Sequence, residues 1–207
     1  MGVRGKGWGT EDEEIASVSV AVFSHSHCPS TQNEVTPLTI RKAKLTDVPD
    51  IHRLVNHYAG EGIMLPRTLT DLYENVWEFT VVAEEEDRLV GCGALKLYNQ
   101  EVAEIRSLCV DEMRKSEGIG RELAEELLDE AEAFGLKTVF ALTIAPTFFT
   151  KLGFHEVPRE RFPTKVWHDC LRCERYACCD ERAVSLELAD RPTNLGEPAT
   201  EVAEVSS

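Results

Sequence analysis

The segment Cys109-Val110-Asp111-Glu112-Met113-Arg114-Lys115-Ser116-Glu117-Gly118-Ile119-Gly120-Arg121 carries the densest chemistry in the chain. An apolar run stops, a cationic turn with two glycines follows, and a long amphipathic stretch begins. Such a turn aims free amide N–H groups at one point, where the dipole of the following helix also favours negative charge. Gly118 and Gly120 would let backbone approach a phosphate with no Cβ in the way. No Gly-Lys-Ser/Thr follows, so this is not a Walker loop, and it lacks the three spaced glycines of a dinucleotide fingerprint. Glycine at a strand–helix turn is also ordinary punctuation, so composition alone leaves both readings open.

The strand leading into the turn, Val102–Val110, places Glu104 and Arg106 two residues apart and therefore on one face. A carboxylate on an interior strand can accept a proton from a reacting group. A guanidinium there can fork onto a carboxylate. Arg67, in a loop after Pro66, and Lys165, beside Trp167, are further candidate cations. Mutual pairing of Glu104 and Arg106 is the structural alternative. His168, Cys170, Cys173, Cys178 and Cys179 form a second cluster that resembles half of a zinc knuckle, with no second Cys-x-x-Cys to close it. Reduced structural thiols, a zinc site and a redox disulfide all stay open for it.

Around these residues the chain has 207 positions, 22 Lys and Arg against 37 Asp and Glu, and a formal charge of −15. That balance argues against a nucleic-acid partner, which needs a basic footprint, and against a polybasic membrane contact. Hydrophobic residues make up 43%, enough for one ordinary core. No apolar run reaches the length of a membrane span. The run Ile15–Phe23 follows Glu11, Asp12, Glu13 and Glu14, whereas a signal peptide begins cationic, so a cytoplasmic setting with reduced cysteines is expected.

Residues 1–36 read as a poorly ordered extension, 37–189 as one domain, and 190–207 as a disordered acidic tail. Within the domain, alternation predicts a strand over 38–43. A helix then starts at Thr46 as N-cap, with Ile51, Leu54, Val55 and Tyr58 at helical spacing and Gly60 and Gly62 ending it. A short helix follows around 69–76. Strands are expected at 79–83, 89–97 and 102–110. A long helix from about Gly118 carries Ile119, Leu123, Leu127, Ala131 and Phe134 on one face, and Gly135 stops it. Then come a strand at 138–143, a short helix at 146–152, and strands at 154–157 and 183–188. The pattern predicts a mixed sheet with helices on both faces.

Lys115-x-x-Gly118-x-Gly120 resembles motif A of the GCN5-related N-acetyltransferases (GNAT), with Lys in place of the usual Arg or Gln. Phe148-Phe149-Thr150-Lys151-Leu152-Gly153-Phe154 resembles that family's Tyr-x-x-Leu-Gly-Phe segment. The resemblance implies an α/β (α+β) fold: a single domain with a mixed, mostly antiparallel central sheet flanked by helices and splayed at the acetyl-coenzyme A site. It implies that Lys115, Ser116, Glu117, Gly118, Ile119, Gly120 and Arg121 grip the pyrophosphate. Leu108, Cys109 and Val110 would run along the pantetheine arm, with Phe149 beside them. A backbone N–H near Leu108 and Cys109 would meet the developing oxyanion, and Glu104 would act as base. Many members protonate the leaving thiolate with a Tyr at the Phe149 position, which Phe cannot do.

Three segments are more specific: Met64-Leu65-Pro66-Arg67-Thr68-Leu69 running into Leu72-Tyr73-Glu74-Asn75, Ala103–Val110, and Phe162–Cys173 leading to Cys179-Asp180-Glu181. Together they resemble the short bacterial N-acetylglutamate synthases. That likeness implies acetyl transfer to L-glutamate in arginine biosynthesis, a small amino-acid partner, acceptor contacts at Arg67, Arg106, Ser107 and Lys165, and no required metal. A homodimer is one assembly open to such a domain. The rival readings are acetylation of another small amine, such as glutamine, and a non-catalytic module that binds coenzyme A or uses zinc for contacts.

Overall fold

The computed structural model describes residues 37–162, 170–173 and 178–191. The expected N-terminal extension, nearly all of the expected tail, and Lys165, Trp167 and His168 lie outside these residues. Strands β1 (Thr39–Lys42), β2 (Phe79–Ala83), β3 (Leu89–Leu97), β4 (Val102–Val110), β5 (Thr138–Thr143), β6 (His155–Val157) and β7 (Arg182–Glu187) form one seven-stranded sheet in the order β1-β2-β3-β4-β5-β7-β6. Every pair is antiparallel except β4 with β5. The helices are α1 (Val48–Gly60), α2 (Leu69–Glu74), α3 (Ile119–Ala133) and α4 (Pro146–Thr150). Among the described residues no helix is long and apolar enough to cross a membrane.

The central strands are apolar on both faces because helices cover both. On one face Val48, Ile51, Leu54, Val55 and Tyr58 of α1 pack on Phe79, Val81, Cys92 and Cys109. On the other, Ile119 and Leu123 of α3 meet Val82 and Val90, and Leu127, Leu128 and Ala131 meet Ala103, Ile105 and Val139. Adjacent residues of β2 thus feed opposite cores, as the period of two demands.

Two irregularities shape the centre. β4 pairs with β5 only through Val102↔Thr138, Ala103↔Val139 and Glu104↔Phe140. Beyond Glu104 the strands part, while β5 keeps its antiparallel partner β7 as far as Thr143↔Arg182. The second is a bulge. Cys92 faces Cys109 and Ala94 faces Arg106, so Ser107 and Leu108 together oppose Gly93. Ser107 takes a left-handed conformation, with φ of 52°, which absorbs the extra residue. Gly93 leaves room there: a Cβ would lie 2.9 Å from Leu108 Cδ1 and 3.0 Å from Leu127 Cδ1, so both leucine side chains would have to shift.

Two local expectations are corrected. Thr46 is not the N-cap of α1; it sits inside a 3-10 turn, Leu45–Asp47, and Asp47 occupies the cap. The Asp47 carboxylate is occupied by the backbone N–H of Lys44 at 2.7 Å and by both terminal nitrogens of Arg41, at 2.6 and 3.1 Å. Phe134 does not continue the buried face. α3 closes at Ala133, the chain turns at Gly135 with φ of 71°, and Phe134 is 59% exposed. Contacts continue to Arg191, whose guanidinium pairs with Asp129 and Glu132 of α3.

Burial works against charge on Asp47, but the bonds from Arg41 and Lys44 win, and its pKa falls below the ordinary carboxylate value. A group with a depressed folded pKa stabilises fully above the unfolded value of about 4, and the contribution drains away as pH falls through the folded value. We expect Asp47→Asn to cost about 1–3 kcal/mol at neutral pH, the scale of a broken charged hydrogen bond. Thermal melts should show the gap from wild type closing as the pH is taken below 4.

Candidate active site

The parting of β4 from β5 opens a cleft of about 1170 Å³. One wall is β4 from Glu104 to Val110; the other holds Leu142, Thr143, Ile144, Ala145, Phe148 and Phe149 from the end of β5 and α4. The loop Gly62–Arg67 closes one end, and Lys115 and Gly120 stand at the other. Among the described residues the edge of Ile105–Val110 that faces β5 has no strand partner, so a ligand lying along it could complete the pairing.

The guanidinium groups of Arg67 and Arg106 both line the cleft, each held by its own acid. Glu78, whose side chain has no exposed surface, accepts Lys96 Nζ and Arg106 NH2, each at 2.7 Å. Burial disfavours charge on Arg106, but attraction and hydrogen bonding from Glu78, aided by Glu104 and Tyr98, raise its pKa above the ordinary guanidinium value. Arg67 is fixed at its backbone by Asn56, which donates to its carbonyl at 2.8 Å and accepts from its N–H at 3.1 Å. Its Nε bonds the Asp71 carboxylate, and the guanidinium lies 5.9 Å from the Phe79 ring centroid. Arg106 Nε and Arg67 NH2 are buried and have no hydrogen-bond partner among the described residues. Each such donor costs about 1–3 kcal/mol until an acceptor reaches it.

Glu104 is 2% exposed and lines the cleft. Its Oε2 accepts the Tyr98 hydroxyl at 2.9 Å. The structural alternative for Glu104, a direct pair with Arg106, is corrected: the hydrogen bond of Arg106 goes to Glu78. Ser107, Leu108, Cys109 and Val110 all line the cleft, and Tyr58 secures the strand's end by donating to the Val110 carbonyl at 2.6 Å.

At the turn, Lys115 and Gly120 line the cleft. Lys115 Nζ stands 4.8 Å from the Tyr58 ring centroid. Gly118 caps α3 with φ of 92°, and Ser116 also has positive φ. The other side chains of the turn point elsewhere. Ile119 is core, Glu117 takes Arg114 Nε at 2.7 Å, and Arg121 donates to Glu125 along the helix. What the turn offers an anion is chiefly backbone amide and the Lys115 ammonium. Phe149 is 5% exposed and packed edge-on against Phe148 and Phe154, so it shapes the wall and supplies no proton.

Cys170, Cys173 and Cys179 border the same cleft, and Cys178 is exposed. Among the described residues the one trio with ligand atoms close enough for a metal ion is His57, Glu61 and Glu112, all exposed and away from the cysteines. Glu78 and Tyr98 were not singled out by the sequence. Glu78 is an acid at the mouth of an apolar strand, a faint signal, but its partners come from two other strands.

Residues 49–154 match the acetyltransferase (GNAT) family model. An uncharacterised N-acetyltransferase of Chlorobaculum tepidum is 40% identical over 145 residues, covering 70% of this chain and 93% of that protein. An amino-acid acetyltransferase of Mycobacterium tuberculosis is 39% identical over 136 residues, covering 64% and 77%. The N-acetylglutamate synthase of Neisseria gonorrhoeae, solved with coenzyme A and N-acetyl-glutamate, superposes with a TM-score of 0.66 at 26% identity, over 73% of this chain and 35% of its own.

Removing Glu78 should take the buried partner from two half-buried cations, Lys96 and Arg106. We expect Glu78→Leu to cost about 1–3 kcal/mol in urea unfolding, the scale of a lost charged hydrogen bond. Adding Arg106→Leu should recover part of that loss, a coupling that a double-mutant cycle reads directly.

Proposed function

The chain belongs to the acetyltransferase (GNAT) family and is an acetyl-coenzyme A-dependent N-acetyltransferase, and we propose that its acceptor is L-glutamate, acetylated on the α-amine. The observation that carries this reading is the pair of buried, unpartnered guanidinium donors, Arg67 NH2 and Arg106 Nε, at one end of the cleft. Glutamate brings two carboxylates and one ammonium. Two forked cations and a nearby carboxylate are the complementary set. In a chain of charge −15 the field disfavours a dianion, so local cations must supply the affinity. The amino-acid acetyltransferase and N-acetylglutamate synthase names among its relatives support the same acceptor. Lys165 and Ser107 join the acceptor set in this reading.

Acetyl-coenzyme A supplies a thioester carbonyl for attack by the amine. Its fit rests on the unpaired edge of Ile105–Val110 for the pantetheine amides and on the 115–121 turn for the phosphates. Glu104 removes a proton from the ammonium, directly or through water, and Tyr98 orients the carboxylate. A backbone N–H of Leu108 or Cys109 meets the oxyanion. The thiolate is a good leaving group, which makes a tyrosine at position 149 dispensable. The reaction would be the first step of arginine biosynthesis, in the cytoplasm.

Glu104→Gln should slow turnover about 100-fold or more, the contribution of a general base, with coenzyme A affinity retained. The deficit should shrink as pH rises and the amine loses its proton unaided; a pH-rate profile with no such convergence would assign Glu104 a structural role.

Arg67→Leu and Arg106→Leu should each weaken glutamate use by about 2–5 kcal/mol in kcat/KM, with little effect on coenzyme A affinity. Comparing glutamate with glutamine isolates the side-chain carboxylate. Acetylation of neither, with an unrelated amine accepted, would overturn the glutamate reading and leave the acetyltransferase.

A further inference from the structure

Cys92 and Cys109 are exact register partners on antiparallel β3 and β4, with their sulfurs 3.5 Å apart. No step of the acetyl transfer uses either thiol. Directly opposed residues of antiparallel strands have Cα atoms about 4.5–5.5 Å apart, inside the range a disulfide tolerates. The strands are therefore close enough for a bond, and closing the remaining gap between the sulfurs needs only a small shift of the backbone. Cys92 is fully buried, with its Sγ also 3.8 Å from the Ser107 carbonyl, while Cys109 is 6% exposed and lines the cleft. Both thiols are buried, and Cys109 is the one whose residue borders the cleft, so a small solute reaches the pair from its side.

We propose that this pair is an oxidation site: hydrogen peroxide entering the cleft converts Cys92 and Cys109 into a reversible cross-strand disulfide that weakens coenzyme A binding. Cys109 borders the cleft and is the first nucleophile, while the contact with Cys109 and then burial push the Cys92 pKa up. Its thiolate attacks one peroxide oxygen, the O–O bond breaks, and hydroxide leaves to be protonated, giving a sulfenic acid at Cys109. The sulfur of Cys92 then attacks Cys109 Sγ. The S–O bond breaks, the S–S bond forms, and the Cys92 proton leaves with the oxygen as water. One peroxide is reduced to two waters and two thiols become one disulfide. Drawing the sulfurs to about 2 Å pulls on β4 beside the bulge at Ser107, where the backbone is already left-handed. The residues displaced, Leu108 to Val110, form the unpaired edge along the cleft.

The experiment treats the full chain with peroxide, removes the oxidant with catalase, and maps peptides without reduction while titrating coenzyme A by calorimetry. A linked Cys92–Cys109 peptide, with affinity at least about tenfold weaker and regained after dithiothreitol, is the expected result; misplacements of about 1 Å in such sites carry effects of this size. In Cys92→Ala the link cannot form, and dimedone should instead trap a sulfenic acid at Cys109. Oxidation of exposed Cys178 with no Cys92–Cys109 link would overturn the proposal, as would a link that leaves coenzyme A affinity unchanged. Neither readout depends on which amine is acetylated, so failure of the glutamate reading would not imitate either outcome.

Discussion

Parallel pairing between β4 and β5 stops at Glu104↔Phe140, and two antiparallel partnerships hold the gap open. β4 stays bonded to β3 up to Val110↔Gly91, and β5 stays bonded to β7 up to Thr143↔Arg182. Each wall of the cleft is thus a strand with one satisfied edge and one edge turned to the opening. Such walls are stiff, because their far sides are part of the sheet. A bound molecule meets preformed backbone rather than a loop that must first be ordered. Glu104 sits at the last shared register, where strand pairing gives way to the cleft.

The acceptor end shows how a strongly acidic chain manages a site for anions. Glu78 has no access to water and ties Lys96 and Arg106 to one spot. Glu104, which also attracts Arg106, balances the second cation, so the cluster is held by close pairing rather than by an excess of positive charge in a chain of formal charge −15. Arg67 is held by different means: Asn56 at its backbone, Asp71 at Nε and the Phe79 ring below. Both guanidinium groups keep one donor in reserve. Both groups are held in place by several neighbours at once, the arrangement that fixed recognition of oxygen positions requires.

Much of this was readable before any coordinates. The bounds of β2, β3, β4 and β5 follow from apolar runs closed by turn residues, and the cationic turn before α3 announced itself by composition. What escaped the sequence depends on register or on distant partners. Glu104 and Arg106 look like natural partners when read along one strand, yet Glu78, 28 positions away, takes the bond. Phe134 fits the helical period but falls one residue past the end of α3, where Gly135 turns the chain. The opposition of Cys92 and Cys109 exists only once β3 and β4 are aligned, and the bulge that sets that alignment leaves no clear mark in the letters Arg106-Ser107-Leu108. Lys165, expected from the sequence to contact the acceptor, lies outside the described residues.

The bulge at Ser107 changes the parity of β4. Before it, even-numbered residues such as Glu104 and Arg106 face the α1 side; after it, odd-numbered Cys109 does, while Leu108 and Val110 turn to α3. One strand therefore presents polar groups and then a thiol to the same layer without breaking the apolar seam behind it. Loss of Ser107 alone would close the bulge and keep both sides, with Leu108 opposite Gly93 and Cys109 still opposite Cys92. Loss of Ser107 and Leu108 together would exchange the sides from that point on and set the Cys109 thiol against α3. Descent within this fold should accordingly tolerate loss of the one extra residue here and reject loss of two, so that a feature of one residue's backbone becomes a rule about which deletions a lineage can keep.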